Sequence, residues 1–160
     1  ERGDSDAGTH FLIGYACSLK GQFEKAIAEL ETALALFPNN ADINAGLGMI
    51  LNAAGKPEKA INVLKHAMRL NPIPPGWYMG WLGDAYRLTG QYQEAVHEFK
   101  KAIKLQPDDM FSHLHLALCY VRLGRTSDAH AEAAEVLRIM PNFSTEKPSP
   151  PTCASRLQPR

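Results

Sequence analysis

Six histidines, three cysteines and seventeen carboxylate residues are the groups in this 160-residue chain that could do chemistry. Their spacing assigns them none. His113 and His115 lie two apart, so on a helix they point to different sides, whereas a zinc pair needs histidines one turn apart on a single face. No Ser/His/Asp or Cys/His constellation, no HExxH and no glycine-rich phosphate loop occurs. His113 falls in a column of core positions, His115 in one that faces inward, and His66, His97 and His130 on helix surfaces. Three cysteines are too few for a disulfide framework or a metal ribbon. Cys17 and Cys119 sit on core columns and Cys153 near the C-terminus, which reads as a reduced, intracellular protein. We read no enzyme, no metal site and no cofactor.

Charge and hydropathy exclude two classes of partner. Lys and Arg number 17 and so do Asp and Glu, a formal net charge of zero, and no one face collects the cations. Nucleic acid is therefore not expected; Lys56, Lys59 and Lys65, like Lys100, Lys101 and Lys104, read as solvated helix faces. No apolar run approaches the roughly 20 residues that cross a bilayer. With no signal peptide visible, a cytoplasmic location is expected. The chain starts at Glu1 without a methionine, as a piece cut from a longer protein would.

The elements that position these residues follow from repetition. Pro38, Pro72, Pro107 and Pro141 fall 34, 35 and 34 residues apart, each closing a similar stretch. Ala26, Ala60, Ala95 and Ala129 form one column, Gly14, Gly48, Gly83 and Ala117 a second, and Gly21, Gly55, Gly90 and Gly124 a third. The third column supplies the positive φ that ends a helix, and the small residues of the first two let paired helices approach. Apolar residues return at three- and four-residue steps, as in Ala95, Phe99, Ala102 and Ile103, the signature of amphipathic helices. The spacing predicts eight helices, over 7–20, 23–37, 41–54, 57–70, 76–89, 92–105, 110–123 and 126–139. Asn40 and Asp109 are placed as N-caps, and Pro57 stands at a first-turn position that needs no amide hydrogen bond. Residues 1–6 form a flank, and residues 144–160, rich in Pro, Ser and Thr, read as disordered.

A period of this length carrying Leu82, Gly83, Tyr86, Gly90, Tyr92, Ala95, Phe99, Ala102 and Pro107 in its third copy resembles the tetratricopeptide repeat, a helix–turn–helix unit. The resemblance covers residues 7–143, in copies of about 7–40, 41–75, 76–109 and 110–143. Departures are local: Cys17 and Leu51 replace the tyrosine of the first helix, Pro57 and Thr126 the aromatic after the turn, and Val136 the last alanine. The resemblance implies an all-α fold, a right-handed α-solenoid of four repeats, and a function in binding protein.

It also implies that the first helix of each pair lines an inner wall. There the family's positions fall on Phe11, Leu12 and Tyr15; on Ala45, Gly46, Met49 and Asn52; on Trp77, Trp81, Asp84 and Arg87; and on Phe111, Leu114, His115, Leu118 and Arg122. Such a wall is aromatic and apolar, and exposed aromatic groups on a concave surface call for a covering partner. Trp77 and Trp81 are the expected anchors, although tryptophan also packs neighbouring repeats in this fold; Asp84 and Arg87 either read a partner's charge or pair with each other. The two-carboxylate clamp by which some members grip acidic chaperone tails is absent, because Phe11, Tyr15, Gly46, Trp77 and Trp81 stand at its positions. Two functions follow: a scaffold binding an apolar peptide or protein segment in the groove, or a homo-oligomerisation or regulatory module that stacks through uncapped terminal repeats, with Val136, Leu137 and Ile139 at the open end. The stretch from Val136 to Ser144 is similar to the close of the repeat arrays attached to bacterial nucleotide cyclases.

Overall fold

What ends each first helix also joins it to its partner. Gly21, Gly55, Gly90 and Gly124 all adopt positive φ, between 70° and 78°. After each glycine the next amide reaches back five residues, as Lys56 N–H does to Leu51 O at 2.8 Å and Arg125 N–H to Tyr120 O at 2.9 Å. This is the Schellman arrangement that closes a helix and reverses the chain.

The structure, a computed structural model, describes the backbone of residues 2–143 and the side chains of residues 6–143. Its regular elements are α1 (Arg2–Leu19), α2 (Phe23–Leu36), α3 (Ala41–Ala53), α4 (Pro57–Leu70), α5 (Gly76–Leu88), α6 (Tyr92–Leu105), α7 (Met110–Arg122) and α8 (Thr126–Ile139). The fold is all-α. Helices pack in the pairs α1/α2, α3/α4, α5/α6 and α7/α8; each second helix then packs on the next first helix, and α1, α3, α5 and α7 touch in sequence along one side. The Pro-rich segment with Cys153 lies outside the described residues.

Small residues set the spacing of each pair. A Cβ on Gly48 would meet all three terminal carbons of the Leu64 side chain, and one on Gly83 would sit 3.0 Å from the Phe99 ring. Leu30, Leu64 and Phe99, four residues after the alanine column, are fully buried. In the fourth copy both partners change together: Ala117 replaces the glycine and Ala133 the large residue.

Three local expectations are corrected. Residues 2–6 belong to α1 instead of preceding it, and the extension is tied down by Ala7, which is buried in the core. Asn40 caps α3 by accepting from Ile43 N–H at 2.9 Å, but the Asp109 carboxylate accepts the Ser112 hydroxyl and no backbone amide. Val136 is not on an open end, because it is buried against the α7/α8 pair. The outer face of α8 carries His130, Ala133 and Leu137 where α2 has Ile27, Leu30 and Leu34; Leu137 is half-exposed and the other two are exposed.

Between helices of the first and last pairs runs a polar contact that recurs at the same columns, half-buried in the first pair and around a buried histidine in the last. His10 Nδ1 lies 2.7 Å from Glu29 Oε2, and His113 Nδ1 lies 2.6 Å from Glu132 Oε2. His113 Nε2 also reaches Pro107 O at 2.9 Å, as the Asn44 amide reaches Pro38 O in the second copy. The third copy keeps the acid, Glu98, but has Met79 opposite, and Glu98 Oε2 is buried with no hydrogen-bond partner.

Candidate functional site

Because α1, α3 and α5 stand side by side, the inward side chains of their last two turns enclose an open groove of about 610 Å³. Six of the residues expected on the inner wall line it together: Tyr15, Met49, Asn52, Trp81, Asp84 and Arg87. Leu19, Leu88 and Ser18 from the final turns of α1 and α5 contribute as well, as does Phe23 at the start of α2. Phe23 gave no signal in the sequence, because it belongs to a second helix, which the family pattern places behind the wall.

The groove is apolar with a fixed polar strip. Tyr15 is 44% exposed and Met49 half-buried, so both are reachable. Asn52 is buried; its amide donates to Trp81 O at 2.9 Å, tying α3 to α5, and its Oδ1 has no partner. Asp84 is buried too, and its Oδ1 accepts from Arg87 Nε at 2.9 Å and Nη2 at 2.6 Å. Of the two readings open for these charges, the structure shows mutual pairing.

The tryptophans separate. Trp81 is half-buried, its ring 4.6 Å from that of Phe111, so it bridges α5 to α7 while also lining the groove. Trp77 does not line the groove; it is 36% exposed and meets Tyr78 edge-on at 4.4 Å. Tyr78 donates to Asp42 Oδ1 at 2.7 Å, and burial together with that acceptor raises its pKa.

Other expected wall residues are structural or lie apart. Phe11 stacks against Gly46, whose missing side chain makes room for the ring, and lines a separate hollow of about 330 Å³. Phe111 lies in ordinary van der Waals contact with Gly80 and meets the His115 ring at 4.0 Å. His115 Nδ1 meets Phe111 O at 2.8 Å, its Nε2 stands 3.7 Å from Asp84 Oδ1, and burial lowers its pKa. Leu118 and Arg122 are exposed further along α7, outside the groove. Among the described residues no three of His, Cys, Asp and Glu converge as a metal ion would require, and no helix is long and apolar enough to cross a membrane.

Paired helices on a 34-residue period, glycine-closed and nested through small residues, are matched by known families. The Tetratricopeptide repeat family matches over residues 19–77 and the TPR repeat family over residues 83–124. The chain is a tetratricopeptide repeat protein. Proteins of this kind are in general protein–protein interaction modules. It is similar to the TPR repeat-containing protein YpiA of Bacillus subtilis, 28% identical over 136 residues, which is 84% of this chain and 31% of that one. It is also similar to Hsc70-interacting protein 1 of Drosophila melanogaster, 34% identical over 100 residues, covering 61% of this chain and 26% of that one. Among solved structures, MamA from Desulfovibrio magneticus shares the fold, with a TM-score of 0.73 at 23% identity over 84% of this chain and 75% of that one. The tetratricopeptide repeat chain thus spans less than a third of the length of either curated relative.

Proposed function

We propose that this tetratricopeptide repeat protein is a non-catalytic scaffold that binds an apolar segment of a partner protein in the groove between α1, α3 and α5. One observation carries the reading: Tyr15, Met49 and Trp81 line one groove with a hydrogen-bonded polar strip beside them. An amphipathic helix or extended strand laid there covers the rings and leaves the Asp84–Arg87 pair intact. Trp77 and the exposed end of α7, at Leu118 and Arg122, extend the same side beyond the groove.

Hsc70-interacting protein 1 bears the name of a chaperone partner, but the groove here offers rings where a clamp would offer donors. A charged chaperone tail finds only Arg87, whose guanidinium Asp84 already holds. No binding of such a tail peptide is expected, and micromolar affinity by titration would refute that.

Stacking through terminal repeats is the lesser reading. Ile13 and Leu137 are partly exposed at the two ends, yet His130 and Ala133 replace the large apolar residues by which α2, α4 and α6 hold the next repeat. Neither relative described above is a nucleotide cyclase, and the short likeness near Val136 has no support from them.

The test is capture of a partner from a lysate of the organism of origin by the wild type and by a Tyr15→Glu/Met49→Glu variant. Both positions have accessible side chains, so helicity should hold. Loss of one captured protein at unchanged circular dichroism supports the groove; equal capture by both sinks it.

A further inference from the structure

The opposite face holds a second cavity, and the molecule itself shows what fills such a space. Where Leu51 replaces the family's tyrosine, α2, α3 and α4 enclose about 510 Å³ lined by Ile27, Leu47, Leu51 and Val63, with Glu24, Lys56 and Lys59 at the mouth. One repeat later the equivalent position carries Tyr86. The hollow there, walled by α5 and α6, is about 300 Å³; besides Gln93 its other walls, Glu94, His97 and Glu98, are the column equivalents of Lys59, Asn62 and Val63. Leu51, Asn62 and Val63 are each smaller than their counterparts, so the second copy has lost a ring and gained a vacancy.

The ring has a fixed electrostatic setting where it is present. Lys65 Nζ stands 5.4 Å from the centre of Tyr86, and Lys100 Nζ stands 5.9 Å from that of Tyr120. Arg125 places its guanidinium 4.5 Å from the same Tyr120 ring. Lys56 occupies the column of Arg125: each follows a positive-φ glycine, and each donates its backbone N–H to the residue at the tyrosine position. The Lys56 ammonium is already held at the mouth of the cavity by Glu24 at 2.7 Å. The second copy thus keeps the apolar floor of a tyrosine site and the cation of the Arg125 column, Lys56, without the tyrosine, while Glu31, also on the cavity wall, stands in the column of Lys65 and Lys100.

We propose that this cavity receives an aromatic side chain, of the tyrosine type, from a partner protein, seated on Leu51 and Val63 beside the Lys56 ammonium. The exposed Asn62 amide at the rim offers a donor and an acceptor to a main chain crossing the mouth. The site lies on the outer side, away from the inner-wall groove, so it is independent of the groove reading.

Methyl-detected NMR titration tests it, with N-acetyl-tyrosinamide, p-cresol and 4-methylcyclohexanol as probes. Saturable shifts of the Ile27, Leu47, Leu51 and Val63 methyls are expected with both aromatic probes, and weaker binding of the saturated ring by about twofold to fivefold, the worth of one exposed cation–π contact. Lys56→Gln should remove that preference. Leu51→Tyr, which supplies the ring from within, should abolish binding; Val63→Glu, which narrows the cavity as Glu98 does, is the second variant should the first fold poorly. No saturable shift, equal binding of 4-methylcyclohexanol, or binding that survives both blocking variants overturns the proposal. A response to p-cresol alone, with the chain-like probe excluded, overturns it as well.

Discussion

Substituting alanine for Gly48 should change sign with the residue opposite it. A Cβ at Gly48 falls 2.8 Å from Leu64 Cδ2, 3.0 Å from Cδ1 and closer still to Cγ, and Leu64 is fully buried, so the contact must push α3 and α4 apart. Overpacking of this kind costs about 1–3 kcal/mol. Replacing a mid-helix glycine by alanine returns about 1 kcal/mol of helix propensity, so Gly48→Ala alone should lower stability by up to about 2 kcal/mol. Leu64→Ala alone removes a buried side chain and should cost about 2–5 kcal/mol. In that background the new methyl enters the void instead of colliding, so the same Gly48→Ala change should stabilise by about 1 kcal/mol or slightly more. The coupling between the two sites is then about 1–3 kcal/mol, beyond the roughly 0.5 kcal/mol within which independent sites add. The fourth copy already carries the alanine–alanine combination, at Ala117 and Ala133. Urea unfolding of the four proteins, monitored by circular dichroism with m-values compared, measures the cycle. Equal effects of Gly48→Ala in both backgrounds, or stabilisation of the wild type by it, would refute the nesting argument.

Glu132→Leu should cost about 1–3 kcal/mol by leaving buried His113 Nδ1 without its acceptor, whereas Glu98→Leu, opposite Met79, should stay within about 0.5 kcal/mol of wild type because the lost pair with half-exposed Lys101 is offset by removing the buried, unpartnered Oε2; the reverse order in chemical denaturation would contradict the account of these columns. Burial lowers the His115 pKa below its usual 6.5, so the unfolded chain takes up the proton first and stability should fall as pH drops below about 6.5. His115→Asn should flatten that acid limb, and an unchanged slope counts against it. Burial pushes the Cys119 thiol up to about 11 from 9.0; the unfolded thiol ionises first, so stability from this group is full below pH 9 and declines between pH 9 and 11. Alkylation of Cys119 mapped by mass spectrometry should proceed no faster than global unfolding, and rapid labelling of the native protein would show that the site is open.

Helix positions and turns were legible in the sequence because each depends on few neighbouring residues. The glycine after each first helix, the alanine column and the period from proline to proline placed eight helices within a residue or two, except for the start of α1, where nothing local marks residue 2 as the beginning. The inner wall was legible as positions on helix faces, and six of its residues do meet in one groove. How those side chains divide their surface was not. Whether Asp84 meets Arg87 or a partner, whether Trp81 faces solvent or Phe111, and that the Asn52 amide bonds Trp81 O across to the next repeat are decided by atoms from helices 29 or more residues away, or by rotamer choice among close neighbours.

The sequence by itself determined the repeat, the all-helical fold and the absence of any spacing suited to catalysis, since these follow from periodicity, turn chemistry and residue type. Only the tertiary structure decided that Phe11 and Phe111 lie against glycines, that Glu98 lacks the histidine its column partners have, and that Leu51 leaves a larger cavity than Tyr86 does. The physical reason is that packing is a property of pairs: a glycine, a methionine or a leucine shows its consequence only against the side chain it faces.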